Sequence, residues 1–221
     1  MRLGRSFTFF AFAAALLVAQ AVRADDLKGV LERLDAAAQG FKTTSAHVEF
    51  DTIQTEPIPD KDTMTGMAYY ERNGNRFQMA AHLTEHNSHP AAKTYILSSG
   101  TLRVSDTGKA SDAKAYTQAG KYESYLMLGF GASGTQLEEK WTIKYLGTET
   151  IDGVKTDKLE LVAKDPAVRK TIVKATIWLD TSRAVSLKQA FDEGEGQSYV
   201  CYYTNVKVNQ GVPGNAFSFD K

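Results

Sequence analysis

The stretch TMTGMAYYERNGNRFQMAAHLT, residues 63–84, decides the predicted fold because it contains two strand-like segments on either side of a turn. Residues 63–72 and 76–84 form the two segments, and Asn73-Gly74-Asn75 lies between them. Asn-Gly supplies the positive φ angles that a tight hairpin turn needs. The stretch therefore predicts an antiparallel β-hairpin in the first half of the chain.

Similar strand patterns lie on both sides of this hairpin. Residues 45–54 alternate in polarity, and Asp152-Gly153 is a second strong hairpin signal between predicted strands at 141–151 and 154–163. Turns rich in glycine, serine and aspartate separate the remaining strands. These are predicted at residues 95–97, 102–104, 171–180, 184–192 and 197–208. The short connections between successive strands predict an antiparallel meander.

Two segments interrupt this pattern and are predicted to contain helices. Residues 26–40 carry apolar side chains at helical spacing, with Asp25 or Asp26 as the N-cap. The second segment is an apolar cluster broken by glycines, followed by Thr135-Gln136-Leu137-Glu138, which has the capping-box pattern of a helix start. The cluster consists of Tyr122, Tyr125, Leu126, Leu128 and Phe130, with glycines at 129, 131 and 134. The sequence thus predicts a mainly β, α+β fold.

Two of the predicted strands have one clearly apolar face and a second face that is only partly polar. The two faces of residues 172–179 are Val173, Ala175, Ile177 and Leu179 against Ile172, Lys174, Thr176 and Trp178. Those of residues 199–208 are Tyr199, Cys201 and Tyr203 against Val200, Tyr202, Val206 and Val208. If a sheet of such strands is curved, the apolar side chains on its concave face either pack on one another or enclose a cavity. The aromatic residues near the helical insert favour a cavity of ligand size.

The N-terminus predicts export. Arg2 and Arg5 precede an apolar stretch over residues 7–18, followed by small residues that place a signal-peptide cleavage site near 21–24. The apolar stretch is too short for a membrane-spanning helix. Residues 1–24 are therefore predicted as a signal peptide and residues 25–221 as one domain. The 26 basic and 26 acidic residues of the chain balance, so we expect no nucleic-acid partner.

The sequence contains few candidates for catalytic or metal-binding residues. His82, His86 and His89, with Glu85 and Asp51 as oxygen donors, are the only candidate metal site, but their segment ends at Pro90 and is better explained as a solvated turn. The single cysteine, Cys201, is predicted to be a buried structural thiol. No nucleophile elbow or phosphate-binding loop is present. We therefore predict no catalytic residue, no metal and no cofactor, and a protein that is not an enzyme.

Over residues 26–219 the chain resembles the periplasmic lipoprotein-carrier family, the LolA-like proteins. The resemblance is carried by short motifs in the same order. They are Gly66, Tyr69, Arg72 and Phe77; Ser98-Ser99-Gly100-Thr101-Leu102; Asp152-Gly153 with Leu159-Glu160-Leu161; Trp178-Leu179-Asp180; and Asn205-Val206 with Phe217-Ser218-Phe219. Asn73 stands where the family has proline, so either Arg72 or Arg76 occupies the position of the family's arginine.

This resemblance implies an incomplete antiparallel β-barrel, a half-barrel closed by the N-terminal helix and by a glycine-broken helical lid. It implies a monomeric periplasmic carrier that binds the acyl chains of lipoproteins or related lipids and delivers them toward the outer membrane. An inner-membrane lipoprotein-releasing transporter and an outer-membrane acceptor are the implied partners. The implied cavity and lid residues are Tyr69, Phe77, Tyr122, Tyr125, Leu126, Leu128, Phe130 and Trp178, with Arg72 as the lid latch.

Two other functions are compatible with the same residues. A barrel of this kind can act as a lipoprotein-sensing regulatory module of the cell envelope, which predicts a stable protein partner. The histidine segment, with His86 at its centre, alternatively predicts a metal-dependent enzyme. We consider lipid transport the better supported of the three.

Overall fold

The computed structural model describes residues 26–74, 76–116 and 128–220. They form one open sheet of eleven antiparallel strands, in the order β6-β5-β4-β3-β2-β1-β11-β10-β9-β8-β7. The strands are β1 (Thr43–Gln54), β2 (Asp60–Asn73), β3 (Arg76–His86), β4 (His89–Ser98), β5 (Thr101–Ser105), β6 (Lys114–Tyr116), β7 (Trp141–Ile151), β8 (Val154–Ala163), β9 (Lys174–Asp180), β10 (Val185–Gly194) and β11 (Gln197–Val208). The predicted mainly β, antiparallel fold is confirmed, but it is two meanders, β1 to β6 and β7 to β11, joined by pairing of β1 with β11.

The described helices are short apart from the first. Residues 26–39 form α1, Gly134–Lys140 form α2 and Pro166–Arg169 form α3, with a 3₁₀ turn at Ala110–Asp112. None of the described helices is long and apolar enough to span a membrane. The described part of the predicted lid that precedes α2, residues 128–133, is not helical.

The hairpin at residues 63–84 is confirmed. Asn73 pairs with Arg76 across β2 and β3, and Gly74 has a φ of 60°. The second hairpin signal is confirmed as well, because Asp152 and Gly153 both have positive φ between β7 and β8. Gly66 is required for a different reason: a Cβ there would lie 2.0 Å from the carbonyl oxygen of His82 at a register shift between the strands.

Two local predictions need correction. Strand β4 starts at His89 rather than Tyr95, because Asn87 and Ser88 adopt positive φ and form a tight turn that lets pairing resume at once. Helix α2 starts at Gly134, and its cap is Ser133 rather than Thr135. Ser133 forms the capping box with Gln136, while the backbone N–H and hydroxyl of Thr135 both bond to the Asp35 carboxylate on α1.

Helix α1 covers one half of the concave face of the sheet. Its apolar side is buried in the core, and Arg33 donates to Asp157 on β8 at 2.8 Å and to Thr181 at 3.2 Å. The hydroxyl of Tyr145 on β7 also donates to Asp157. These bonds place the helix over strands β7 to β9. The helix does not cover the concave face of strands β1 to β5. The buried α1 side chains are Val30, Leu31, Leu34 and Ala38.

The C-terminal segment, residues 209–220, covers part of the convex face. His82 on β3 bonds through Nε2 to the carbonyl oxygen of Ala216 at 2.7 Å, and Arg103 on β5 lies over the ring of Phe219. Under this segment the outward-facing Ala80 and Ile96 are fully buried. β3 and β4 therefore each bury an apolar side chain on the convex face as well, which departs from the simple alternation of a sheet with one solvent-exposed face.

Candidate functional site

A cavity of about 470 Å³ occupies the half of the concave face that α1 leaves uncovered. Its size lies within the range of about 300–1,000 Å³ that is typical of small-molecule sites. The sheet bends around it, because seven neighbouring strands, β5-β4-β3-β2-β1-β11-β10, all contribute to its wall. The described lining residues are Val48, Phe50, Thr52, Ala68, Tyr70, Met79, Ala81, Leu83, Tyr95, Leu102, Ile172, Gln189, Phe191, Glu193, Tyr199, Cys201 and Tyr203.

Small side chains create part of this space. Ala68 on β2 and Ala81 on β3 are paired across the sheet and both line the cavity. Larger apolar side chains surround them, including Val48 and Leu83. The cavity wall around these residues is therefore apolar. A hydrocarbon chain placed against it is removed from water, and the free energy gained is about 0.8 kcal/mol per buried methylene.

The deep end of the cavity is closed by three aromatic rings in contact. Phe130, which is fully buried, lies parallel to Tyr70 with ring centroids 3.8 Å apart. It also meets Tyr203 edge-on at 4.8 Å. Tyr70 and Tyr203 face the cavity, whereas Phe130 supports them from behind. Ring pairs of this kind add about 0.5–1.5 kcal/mol each to the burial of their surface.

A chain of polar groups runs through the same end. The amide of Gln189 donates to the carbonyl oxygen of Leu128, and its oxygen accepts from the hydroxyl of Tyr203 at 3.0 Å. The hydroxyl of Tyr70 lies 3.4 Å from that of Tyr203. Since these buried groups all have partners, none of them is left as a free polar group that would disfavour an apolar chain at the deep end. Burial raises the pKa of Tyr70 and of Tyr203, so both hydroxyls stay neutral.

Segment 128–131, which carries Phe130, is fixed to the start of β10. The carbonyl oxygen of Gly129 accepts from the N–H of Ser186 at 2.6 Å, and Gly131 donates to Ala184 at 2.8 Å. Both glycines have positive φ, and a Cβ on Gly131 would lie 2.3 Å from the ring of Phe41. These glycines permit close packing, which is a different role from the mobility that a lid needs.

The other end of the cavity is lined by partly exposed residues, Phe50, Thr52, Glu193 and Tyr199, and carries a charged group. Phe50 and Tyr199 stack there at 5.5 Å, and Glu193 lines the same end of the cavity. Burial raises the pKa of Glu193. Among the described lining residues, Glu193 is the only Asp, Glu, Lys or Arg.

Cys201 lines the cavity between its two ends, and the predicted burial of this thiol is confirmed at 7% exposure. Burial raises its pKa from 9.0 to about 12, which lowers the thiolate fraction by about 1,000-fold. We therefore expect Ellman's reagent to react with the native protein at pH 8 at least about 1,000-fold more slowly than with the urea-unfolded protein. Equal rates would contradict this placement of the thiol.

Five of the eight cavity and lid residues proposed from the sequence are among the described residues, and they lie on two sides of the sheet. Phe77, Leu128 and Phe130 are buried in the core next to the cavity. Tyr69 and Trp178 face the opposite side of the sheet. The ring of Tyr69 packs against His82, and the indole of Trp178 donates to Glu149 and lies under the amines of two lysines. Tyr122, Tyr125 and Leu126 lie outside the described residues.

Arg72 lies on β2 with its side chain half-buried, on the same strand face as Tyr70. Burial lowers the pKa of its guanidinium, and no described residue forms an ion pair or side-chain hydrogen bond with it. Arg76 is exposed at the start of β3. The assignment of Arg72 as a latch stays a prediction.

The three histidines do not converge. His82 contacts Ala216 and Thr94, whereas His86 pairs with Asp62 at 3.1 Å on the surface. The ring of His89 bonds to the backbone of Asn87 in the turn. Within residues 26–74, 76–116 and 128–220, no group of three or more His, Cys, Asp or Glu side chains is placed to hold a metal ion.

Sequence reasoning missed most of the cavity wall. The small pair Ala68 and Ala81 and the polar residues Gln189 and Glu193 carry no motif. Gln189 and Glu193 share a face of β10 with Phe191, so an alternating pattern was present in the sequence. That pattern shows which residues share a face, but it does not show that the face borders a cavity.

No family model and no curated protein sequence matches the chain. Solved structures do match. MucB aligns at a TM-score of 0.53 with 12% identity, over 89% of this chain and 63% of the MucB chain. The Pseudomonas aeruginosa MucA/MucB complex gives 0.52 with 13% identity, over 88% and 61%. The fold is similar to that of MucB.

A LolA superfamily protein from Nitrosomonas europaea is also among the matches, at 16% identity and a TM-score of 0.40, over 86% of this chain and 96% of that one. This chain spans less than two thirds of the length of the MucB chains.

Proposed function

We propose that this protein is a periplasmic carrier that holds the acyl chain of a lipoprotein or related lipid inside the cavity of its LolA-like fold. The observation that supports this proposal is the 470 Å³ cavity, which has an apolar wall, a closed aromatic end and an open polar end. An acyl chain has the matching shape, with a long apolar tail and one polar head. The proposal assigns no catalytic step and no cofactor to the protein.

The energetics favour a carrier for such a cargo. Exposing a chain of about fifteen methylenes to water costs about 12 kcal/mol at about 0.8 kcal/mol for each one. A lipid with such a chain crosses an aqueous compartment only when a protein covers it. In this proposal the open sheet acts as a half-barrel, α1 fills one part of it and the cargo fills the other. Delivery toward an outer-membrane acceptor belongs to the same proposal.

The test measures binding of a fluorescent peptide with an N-terminal palmitoyl group. We expect saturable binding with a stoichiometry of one, and no binding of the same peptide without the acyl group. Mass spectrometry of lipids that copurify with the protein from its periplasm would identify the natural cargo. Equal signals from the acylated and unacylated peptides would rule the proposal out.

A second candidate is a regulatory module that binds a protein partner, as in the MucA/MucB complex. The observation in its favour is the likeness to MucB at a TM-score above 0.5. A pull-down from envelope extracts separates the two candidates. A carrier captures many acylated proteins at low occupancy, whereas a regulatory module captures one partner in equal amounts whether or not that partner is acylated.

A further inference from the structure

The open end of the cavity contains a charge that an acyl-chain site does not need. Glu193 on β10 lines the cavity together with Thr52 and Tyr199, while the described deeper wall carries no Asp, Glu, Lys or Arg. An apolar tail that enters the cavity points its end toward Tyr70 and Tyr203, so the head remains at the open end. The head of the ligand therefore lies beside the Glu193 carboxylate.

The Glu193 carboxylate is a hydrogen-bond acceptor at this end of the cavity, where Tyr199 is its neighbour in the wall. An ionised carboxylate accepts hydrogen bonds and cannot donate them. None of the described lining residues is a lysine or arginine that could neutralise an anionic head. A ligand head with an N–H donor therefore finds a charged acceptor at this end.

Partial burial strengthens this selection. Glu193 is less exposed than a surface carboxylate, and charges interact more strongly where water is partly excluded. A carboxylate or phosphate head beside it meets a like charge, which disfavours binding, whereas an ammonium or amide head meets an acceptor. Specificity arises here from repulsion of anionic lipids as much as from attraction of N–H donors.

Building on the proposed function, we propose that Glu193 and Tyr199 form a headgroup site that selects single-chain amphiphiles with a cationic or amide N–H head and rejects free fatty acids and other anionic lipids. The amide-linked acyl chain of an N-acylated protein belongs to the accepted class. The site is part of the cavity wall itself, so a ligand meets it only when its tail is inserted.

The test compares dodecylamine with dodecanoate as competitors of the fluorescent palmitoyl peptide at pH 7.5, both below the concentration at which they form micelles. The two ligands have the same tail and opposite head charges. We expect dodecylamine to displace the peptide at a concentration about tenfold lower than dodecanoate. In Glu193→Gln we expect this ratio to fall to about twofold or less.

Glu195→Gln is the matched control, because Glu195 lies in the next turn and is exposed outside the cavity wall. It removes the same charge from the same hairpin, and we expect it to keep the tenfold preference. Equal displacement by the two ligands in the natural protein would overturn the headgroup site, as would a preference that survives Glu193→Gln. Failure of both ligands and of the acylated peptide would instead overturn the proposed function.

Discussion

Replacing Ala81 with phenylalanine is expected to reduce the affinity for the palmitoyl peptide by about 50-fold. Ala81 lies on β3 opposite Ala68, and its side chain faces the cavity rather than the packed core. A benzyl group there takes the space of about three methylenes of the ligand, at about 0.8 kcal/mol each. The side chain enters existing space, so the free energy of unfolding should change little. Titration of the fluorescent peptide measures the affinity.

Ala190→Phe is the matched control for this experiment. Ala190 lies on β10 between Gln189 and Phe191, whose side chains face the cavity, so its own side chain points to the convex face. The chemical change is the same and the cavity is untouched. We expect unchanged affinity in this variant. Equal losses in the two variants would mean that the peptide does not bind in the cavity.

Replacing Phe130 with alanine is expected to lower the free energy of unfolding by about 3–5 kcal/mol, the usual cost of removing a buried phenyl group. Phe130 is fully buried and supports both Tyr70 and Tyr203. For a protein of this size the loss corresponds to a decrease in Tm of about 6–20 °C. Urea and thermal unfolding followed by circular dichroism measure it.

Phe219→Ala serves as the comparison, because Phe219 is only partly buried and lies on the convex face under Arg103. Its loss should cost about 1 kcal/mol or less. This pair of variants separates two roles for segment 128–131. If the segment is a fixed plug at the deep end, Phe130→Ala lowers the free energy of unfolding strongly. If it is a lid that opens easily, Phe130→Ala lowers it about as little as Phe219→Ala does.

The strands were largely predictable because turn chemistry is local. Gly74, Asp152 and Gly153 adopt positive φ at little cost, and the strands on either side follow from these turns. The capping box of α2 was misplaced because Thr135 bonds to Asp35, a residue 100 positions earlier in the chain. Local patterns cannot show that a distant carboxylate takes over a capping residue.

The site was harder to predict because several strands are apolar on both faces. Tyr69 and Tyr70 are adjacent on β2 and both aromatic, yet only Tyr70 faces the cavity. Trp178 was a natural candidate for the cavity, but it lies on the convex face, where the amines of Lys158 and Lys188 cover its ring. An apolar surface on the convex side is stabilised by such contacts, so hydrophobicity alone does not mark the inner face.

The amino-acid sequence by itself determined the strands, the principal turns and the first helix, since these depend on backbone preferences and on alternation within a few residues. Only the tertiary structure decided which face of each strand is concave and where the cavity ends. The reason is that α1 and the C-terminal segment cover opposite sides of the sheet, and the space α1 leaves uncovered becomes the cavity. Which side of the sheet each segment covers depends on contacts between residues more than 100 positions apart, such as Arg33 with Asp157 and His82 with Ala216.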